Sequence, residues 1–255
     1  MNILVTGSNG YIGKSIINSS IKDVVFFHGN RQTINLLDKE SIKTFIKQNK
    51  IDCVIHCAIQ GTSRLKIEDA NSFYNNILIF ENLYHCRNLL HKVINLASGA
   101  EFDRETGIDL INEEDIFERI PKDYYGLSKN IIAKKALTAN NFYNLRLFGC
   151  FNENELDSRF IKSCILKSRI KETIIIHEDK IMDFFYIGDL ILILKYALLV
   201  DLAYQDINLS YKNKYKLSQI AKKIINESDS KSNLIIQNQN GLNYNGCFDK
   251  LLSLP

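Results

Sequence analysis

The chain opens Met1-Asn2-Ile3-Leu4-Val5-Thr6-Gly7-Ser8-Asn9-Gly10-Tyr11-Ile12-Gly13. Asn2–Thr6 reads as a short buried strand that runs straight into three glycines spaced G-x-x-G-x-x-G. Gly10–Ile21 then has helical period, with Ile12, Ile16 and Ile17 on one face. Glycine lets a backbone turn tightly, approach a pyrophosphate closely and pack helix against strand. The first turn of the helix adds free N–H groups and the positive end of its dipole. A glycine triplet alone is a weak signal; a strand before it and an amphipathic helix after it supply the confirming context. Gly7, Asn9, Gly10, Tyr11, Ile12 and Gly13 are therefore the candidate phosphate-loop residues, against the blander reading of a plain βα turn.

Outward from this loop, strand-length apolar runs alternate with helical segments. Strands are expected at Val24–Phe27, Asp52–Ala58, Val93–Ser98 and Tyr143–Phe148. Helices are expected at Asp38–Asn49, Glu68–Leu90 and Asp123–Asn140. This β-α-β-α rhythm predicts a parallel sheet with helices on both faces. Beyond Gly149 the rhythm loosens. Arg159–Lys167, Gly188–Val200 and Leu217–Asn226 read as helices, Thr173–His177 and Asp206–Leu209 as strands. The expected division is a dinucleotide-binding domain over 1–149 and a mainly substrate-binding lobe over 150–255. The helix from Gly188 and the strand from Asp206 are left open to rejoining the first domain.

Composition narrows the function classes. Of 255 residues, 32 are Lys or Arg and 29 Asp or Glu, a formal net charge of +3. That is too mild for a nucleic-acid stripe, and no nucleic-acid partner is expected. The most apolar run, Leu190 to Val200, is broken by Lys195 and too short to span a bilayer, so no membrane partner is expected either. The N-terminus has no basic n-region or small-residue cleavage site, so the expected location is the cytoplasm. Cys53, Cys57, Cys86, Cys150, Cys164 and Cys247 then read as reduced thiols, and the C-x3-C of the first two lacks a second pair at ligand spacing, so no metal is expected.

The second strand ends Phe26-Phe27-His28-Gly29-Asn30-Arg31. A carboxylate there would suit the ribose 2′-hydroxyl of NAD, whereas an arginine suits a 2′-phosphate. With Arg31 at hand and no acid nearby, NADP is the expected cofactor and NAD the alternative; Arg31 also reads as a plain solvated loop residue. Tyr125-Gly126-Leu127-Ser128-Lys129 is Tyr-x-x-x-Lys at a helix start, which puts phenol and ammonium on one face. An ammonium nearby lowers a tyrosine pKa, fitting the phenol for acid–base work near neutral pH. With 12 Tyr in a lysine-rich chain, one such pair is expected by chance, so its weight comes from its position between the fourth and fifth strands. The fourth strand ends Asn95-Leu96-Ala97-Ser98-Gly99-Ala100, at the edge where open α/β sheets bind ligands. Ser98 reads as a donor to a carbonyl oxygen, or as a strand-end hydroxyl satisfying loop backbone.

Together these residues resemble the extended short-chain dehydrogenase/reductase family, of NAD-dependent epimerase/dehydratase type. Further segments carry the likeness: Ile55-His56-Cys57-Ala58, Asn76 with Asn82, Arg146-Leu147-Phe148-Gly149, and Tyr244-Asn245-Gly246. Met182-Asp183-Phe184-Phe185-Tyr186-Ile187-Gly188-Asp189 matches the family's Arg-Asp-Phe-x-x-Val-x-Asp signature with Met for Arg. The resemblance implies an α/β fold: a Rossmann-type doubly wound parallel sheet with a small C-terminal α/β substrate lobe, short for the family. It adds Asn30, Leu37, Asp38, Cys57, Ala58 and Asn76 to the cofactor residues, and gives Lys129 the nicotinamide ribose. Asn35-Leu36-Leu37-Asp38 is closest in pattern to NADPH-dependent 4-keto-sugar-nucleotide reductases such as GDP-fucose synthase and dTDP-rhamnose synthase.

Ser98-Gly99-Ala100 lacks the acidic pair of the dehydratases, and Ala100 cannot move protons as the cysteine of GDP-fucose synthase does. His177 is a stand-in only in kind, and reads first as a surface residue. The expected activity is reduction of a keto-sugar nucleotide in deoxysugar or surface-polysaccharide biosynthesis. Ser98 would hold the ketone oxygen, Tyr125 protonate the alkoxide, and Lys129 bind the ribose and lower the Tyr125 pKa. An epimerase with tightly bound NAD, or a non-catalytic dinucleotide sensor, are the alternatives. The resemblance also implies a homodimer whose four-helix interface would use the Glu68–Leu90 and Asp123–Asn140 helices.

Overall fold

The computed structural model describes residues 1–60 and 69–255. In chain order the elements are β1 (Asn2–Thr6), α1 (Tyr11–Ile17), β2 (Val25–Gly29), α2 (Lys39–Gln48), β3 (Cys53–His56), α3 (Ala70–His85), β4 (Lys92–Ser98), β5 (Ile108–Ile111), α4 (Tyr124–Ala136) and β6 (Phe142–Leu147). They continue with β7 (Cys150–Phe151), α5 (Phe160–Arg169), β8 (Ile174–Glu178), β9 (Phe185–Tyr186), α6 (Ile187–Leu199), β10 (Asp206–Leu209), α7 (Leu217–Glu227), β11 (Leu234–Asn238), β12 (Tyr244–Gly246) and α8 (Asp249–Leu252).

Six parallel strands form the main sheet in the order β10-β6-β4-β3-β1-β2. The chain leaves β1 for β2 on one side and returns across it to β3, so the winding reverses at β1. This reversal opens the crevice in which such sheets bind ligands. Strand residues alternate between two cores. Ile3, Val5, Cys53, Ile55, Ile94 and Leu96 face one side with Ile16 of α1 and Leu190 and Leu194 of α6. Leu4, Val54 and Val93 face the other with Ile42 of α2, Phe80 and Leu83 of α3, and Ile132 of α4. Burying a leucine this completely contributes about 2 kcal/mol.

The helix over 187–199 and the strand over 206–209 rejoin the main sheet: β10 pairs with β6 through Asp206–Leu209, and α6 covers the first core. The remaining C-terminal elements form a smaller layer. β8 and β11 make a parallel pair backed by α5 and α7 around Cys164, Ile174, Ile176 and Ala221. Two short parallel pairs, β5 with β12 and β7 with β9, tie that layer to the carboxyl end of the sheet.

Three helices are shorter than their periodicity predicts. α1 stops at Ile17, where the Ser19 hydroxyl closes on the carbonyl of Ile16 at 2.6 Å. The long helix expected over 68–90 runs from Ala70 to His85 and tightens to a 3-10 turn over Arg87–Leu89; its first expected residue, Glu68, lies outside the described residues. α4 ends at Ala136, because Asn141 is already tied to the carbonyls of Arg87 and Leu90, which aims the chain into β6. Among the described residues no helix is long and apolar enough to cross a membrane.

Candidate active site

A cleft of about 1130 Å³ lies across the carboxyl ends of β1, β2, β3, β4 and β6. Its floor is the glycine loop. Gly7 sits at φ +67°, and a Cβ there would lie 2.8 Å from the Ala58 backbone. A Cβ at Gly13 would lie 2.5 Å from the Gly7 carbonyl oxygen. The loop is thus packed so closely that only hydrogen fits, and its own backbone braces it: the Gly7 N–H donates to the Gly29 carbonyl at 2.7 Å and the Gly10 N–H to the Gly7 carbonyl at 2.9 Å. Among the described residues, the buried hydroxyls of Ser8 and Tyr11 have no hydrogen-bond partner. Orphaned buried donors beside a phosphate-type loop suit a bound anion that would satisfy them.

Gly7, Asn9, Gly10, Tyr11, Ile12, Gly13, Asn30, Arg31, Leu37, Cys57 and Ala58 all line this cleft. Asn30 shapes the end of β2: its side-chain oxygen accepts from the Gln32 N–H at 2.9 Å, which leaves Arg31 exposed at the rim. Two residues assigned to the cofactor hold backbone groups in this structure. Asp38 caps α2, accepting from the Glu40 N–H at 2.9 Å, and lies off the cleft wall. Asn76 grips the backbone of Gln60 through both ends of its amide, at 2.8 and 3.1 Å, so it holds the wall without forming it. Asn82 does the same for the opposite wall, donating to the Leu36 carbonyl.

Ser98, Tyr125 and Lys129 share the inner end of the cleft. Ser98 terminates β4 and opens a tight 3-10 turn, Gly99–Glu101. Its hydroxyl accepts from the Ala100 N–H at 3.2 Å, and its own N–H donates to the Glu101 carboxylate at 2.8 Å. The strand-end capping role and the cleft-facing role of Ser98 therefore coexist. Asp123 caps α4 by accepting from the Gly126 N–H at 2.7 Å. A Cβ at Gly126 would lie 2.5 Å from the Ala100 carbonyl oxygen, so the missing side chain is what lets α4 press Tyr125 against the Ser98 turn.

Lys129 is buried and donates to the Leu96 carbonyl at 2.7 Å; burial lowers its pKa, opposed by Glu101 and Cys57. Tyr125 does not have the depressed pKa expected from its lysine neighbour. Burial pushes the phenol up, a hydrogen bond from Ser98 and the charge of Arg104 pull it partly back, and Glu101 and Asp123 oppose them. The physical reason is burial, which outweighs the groups that pull the phenol down. Cys57 is likewise pushed up to about 12 by burial, so it is a thiol. Behind the wall His56 bonds Thr6 Oγ1 at 2.8 Å, and burial, with the Lys129 charge, drives it down to about 3.

Sequence reasoning missed several cleft residues. Arg104, Glu155 and Arg159 line the outer part, and Gln60 the β3 side. Tyr244, arriving from β12, lines the inner end beside Ser98. His177 does not reach the cleft; it is exposed on β8 with Nδ1 2.6 Å from the Gln237 side-chain oxygen.

Residues 3–210 match the model of the NAD dependent epimerase/dehydratase family. The chain is 31% identical over 110 residues to GDP-L-colitose synthase of Yersinia pseudotuberculosis, a stretch that covers 41% of this chain and 36% of that relative's length. Its fold is similar to MlghC, a GDP-mannoheptose C4 reductase from Campylobacter jejuni solved with NADP bound: TM-score 0.81, 18% identity, 99% of this chain and 91% of that one. It is also similar to dTDP-4-dehydrorhamnose reductase from Bacillus anthracis in complex with NADP: TM-score 0.80, 17% identity, 98% of this chain and 90% of that one.

Proposed function

Because the chain belongs to the NAD dependent epimerase/dehydratase family, we propose that it reduces the ketone of a keto-sugar nucleotide with NADPH. The observation that carries this reading is the convergence of Ser98, Tyr125 and Lys129 on one cleft with the glycine loop and Arg31. The relatives named for sugar-nucleotide reductase and synthase activities support the substrate class.

The Gly7–Gly13 loop with the Ser8 and Tyr11 hydroxyls would hold the pyrophosphate, and Arg31 the 2′-phosphate. Lys129 would hold the nicotinamide ribose. When bound, NADPH supplies the hydride. The Ser98 hydroxyl donates to the ketone oxygen and holds the charge that develops there. Tyr125 gives its proton to the same oxygen. Burial keeps that phenol protonated at neutral pH, which is the state a reductase needs at the start of its cycle.

The natural assembly we infer is a homodimer through α3 and α4, whose outer faces carry the exposed Tyr74, Tyr124 and Ile131. Light scattering tests it.

The deciding experiment identifies any nicotinamide nucleotide released on denaturation, then titrates the stripped protein with NADPH and NADH. Exchangeable binding that favours NADPH, followed by loss of its absorbance with a 4-keto-sugar nucleotide, is the expected result. Stoichiometric, non-exchanging NAD would replace this reading with an epimerase.

A further inference from the structure

We propose that Glu101 is a positioning residue of the reaction centre: its buried carboxylate, clamped by Arg146, holds the Ser98 backbone so that the serine hydroxyl keeps its place in the cleft. The inference rests on the reductase reading for its catalytic consequence, and on hydrogen-bond geometry alone for the positioning itself.

Ser98-Gly99-Ala100-Glu101 has the S-x-x-E spacing of a capping box. The box closes in both directions. The Ser98 hydroxyl accepts from the Ala100 N–H at 3.2 Å, and the Glu101 carboxylate accepts from the Ser98 N–H at 2.8 Å. Yet the box opens a turn of only three residues, Gly99–Glu101, and the Glu101 side chain is wholly buried. Taking a carboxylate out of water costs more than capping one short turn returns. A glutamine would close the same box without a charge. Capping alone therefore does not account for an acid at this position.

The charge is met from the far side. Arg146 Nε donates to the second carboxylate oxygen at 2.8 Å, and the guanidinium lies over the Phe102 ring, 5.0 Å from its centroid. The other arms of Arg146 donate to Asn208 and Asp206 of β10, each at 2.9 Å. A further hold comes from α4, where the Asn130 side chain donates to the Glu101 carbonyl at 2.8 Å. Asn130 directly follows Lys129 on the helix that carries Tyr125. Glu101 is thus bonded at once to the strand end that carries Ser98, to the helix that carries Tyr125 and Lys129 and, through Arg146, to β6 and β10. A carboxylate can do this because both of its oxygens accept. Holding the Ser98 N–H fixes the root of the side chain, and the Ala100 N–H fixes its oxygen. What Glu101 sets is the place of Ser98 Oγ relative to the ketone oxygen it must share with Tyr125, and a donor to developing charge is effective only at short, fixed range.

The test is Glu101→Gln, alone and combined with Ser98→Ala. The amide has one oxygen for two donors, so either the Ser98 N–H or Arg146 Nε loses its acceptor. Glu101→Gln is expected to lower kcat roughly tenfold with NADPH affinity unchanged. In a Ser98→Ala background the same substitution should lower kcat no further. Equal losses in both backgrounds, or an undiminished kcat in the native one, would overturn the proposal. Should Glu101→Gln fail to fold, a second variant carries the same measurement: Glu101→Met, Arg146→Met and Asp206→Asn together, which removes the buried charges as a set and lets apolar packing replace them. It should melt close to the native protein and still show the roughly tenfold loss. Native kcat in that variant would leave Glu101 only an ion-pair partner and refute its positioning role. A readout independent of any substrate is the ¹⁵N–¹³C coupling across the hydrogen bond from the Ser98 amide to Glu101 Cδ in the labelled native protein. The coupling is expected, and its absence refutes the contact. Should the protein bind no NADPH, the reductase reading fails while this coupling still decides whether Glu101 holds Ser98.

Discussion

Arg146 Nε donates to the Glu101 carboxylate at 2.8 Å, with both side chains wholly out of solvent. The other carboxylate oxygen of Glu101 holds the Ser98 N–H, and the other arms of Arg146 reach Asn208 and Asp206 on β10. One buried guanidinium thus ties the Ser98 turn to the last strand of the sheet. Removing one member leaves a charge in the interior without its counter-charge. Arg146→Met is expected to cost about 3–5 kcal/mol of unfolding free energy, measured by urea titration. Arg146→Lys should recover only part of it, because a point charge cannot serve three partners in fork geometry.

His56 makes stability depend on acidity. The native imidazole takes a proton only near pH 3, whereas the unfolded one does so near 6.5. Between those values the unfolded chain binds the extra proton, so stability present above pH 6.5 is lost as pH falls. At about 1.4 kcal/mol per pH unit, the loss from this group reaches about 2 kcal/mol by pH 5. His56→Gln should be less stable at neutral pH, having lost its bond to Thr6, yet show a flatter decline. Urea midpoints at pH 7 and pH 5 for both proteins measure the difference.

Tyr125→Phe should abolish turnover and leave NADPH affinity nearly intact, since the phenol serves proton transfer. Stopped-flow absorbance and a binding titration separate the two. Loss of both would remove Tyr125 from its assigned role.

Arg31→Ala should weaken NADPH binding by roughly ten- to a hundredfold and leave NADH binding almost unchanged, as expected for one charge-assisted contact to a 2′-phosphate. Parallel calorimetric titrations with both nucleotides check it.

Gly99→Ala places a methyl 2.3 Å from Phe148 and 2.9 Å from the Tyr244 hydroxyl. Overpacking of this kind costs about 1–3 kcal/mol, and it should lower kcat by shifting the turn that holds Ser98. Thermal unfolding and kinetics read the two effects separately.

The parallel sheet was legible because its strands are short apolar runs punctuated by helices of clear period. Asn2–Thr6 and Asp206–Leu209 fall where the residues place them. The glycine loop was legible for the same local reason: strand, turn and helix are contiguous. What stayed hidden is non-local. β11 pairs with β8 across about 60 residues, and β12 with β5 across more than 130, and neither carries a pattern in its own composition. Asp38 and Asn76 were assigned by likeness to cofactor contacts, and the likeness did not show that Asp38 also caps α2 and that Asn76 also holds the Gln60 backbone. Tyr125 and Lys129 do fall on one helix face, yet the expected electrostatic partnership was misjudged. Helix spacing says that two side chains are neighbours and cannot say how far burial will push the phenol up. Tyr244 beside Ser98 needed the tertiary fold altogether.

The late arrival of β10 has a consequence for synthesis. A nascent chain that has emerged only through β6 holds Arg146 without Asp206 or Asn208, and the β6 edge stays uncovered. The ribosome must deliver some 60 further residues before the first half can close on itself. Until then the emerging chain exposes an open sheet edge, and it is during this interval that a chaperone covering that edge has most to contribute.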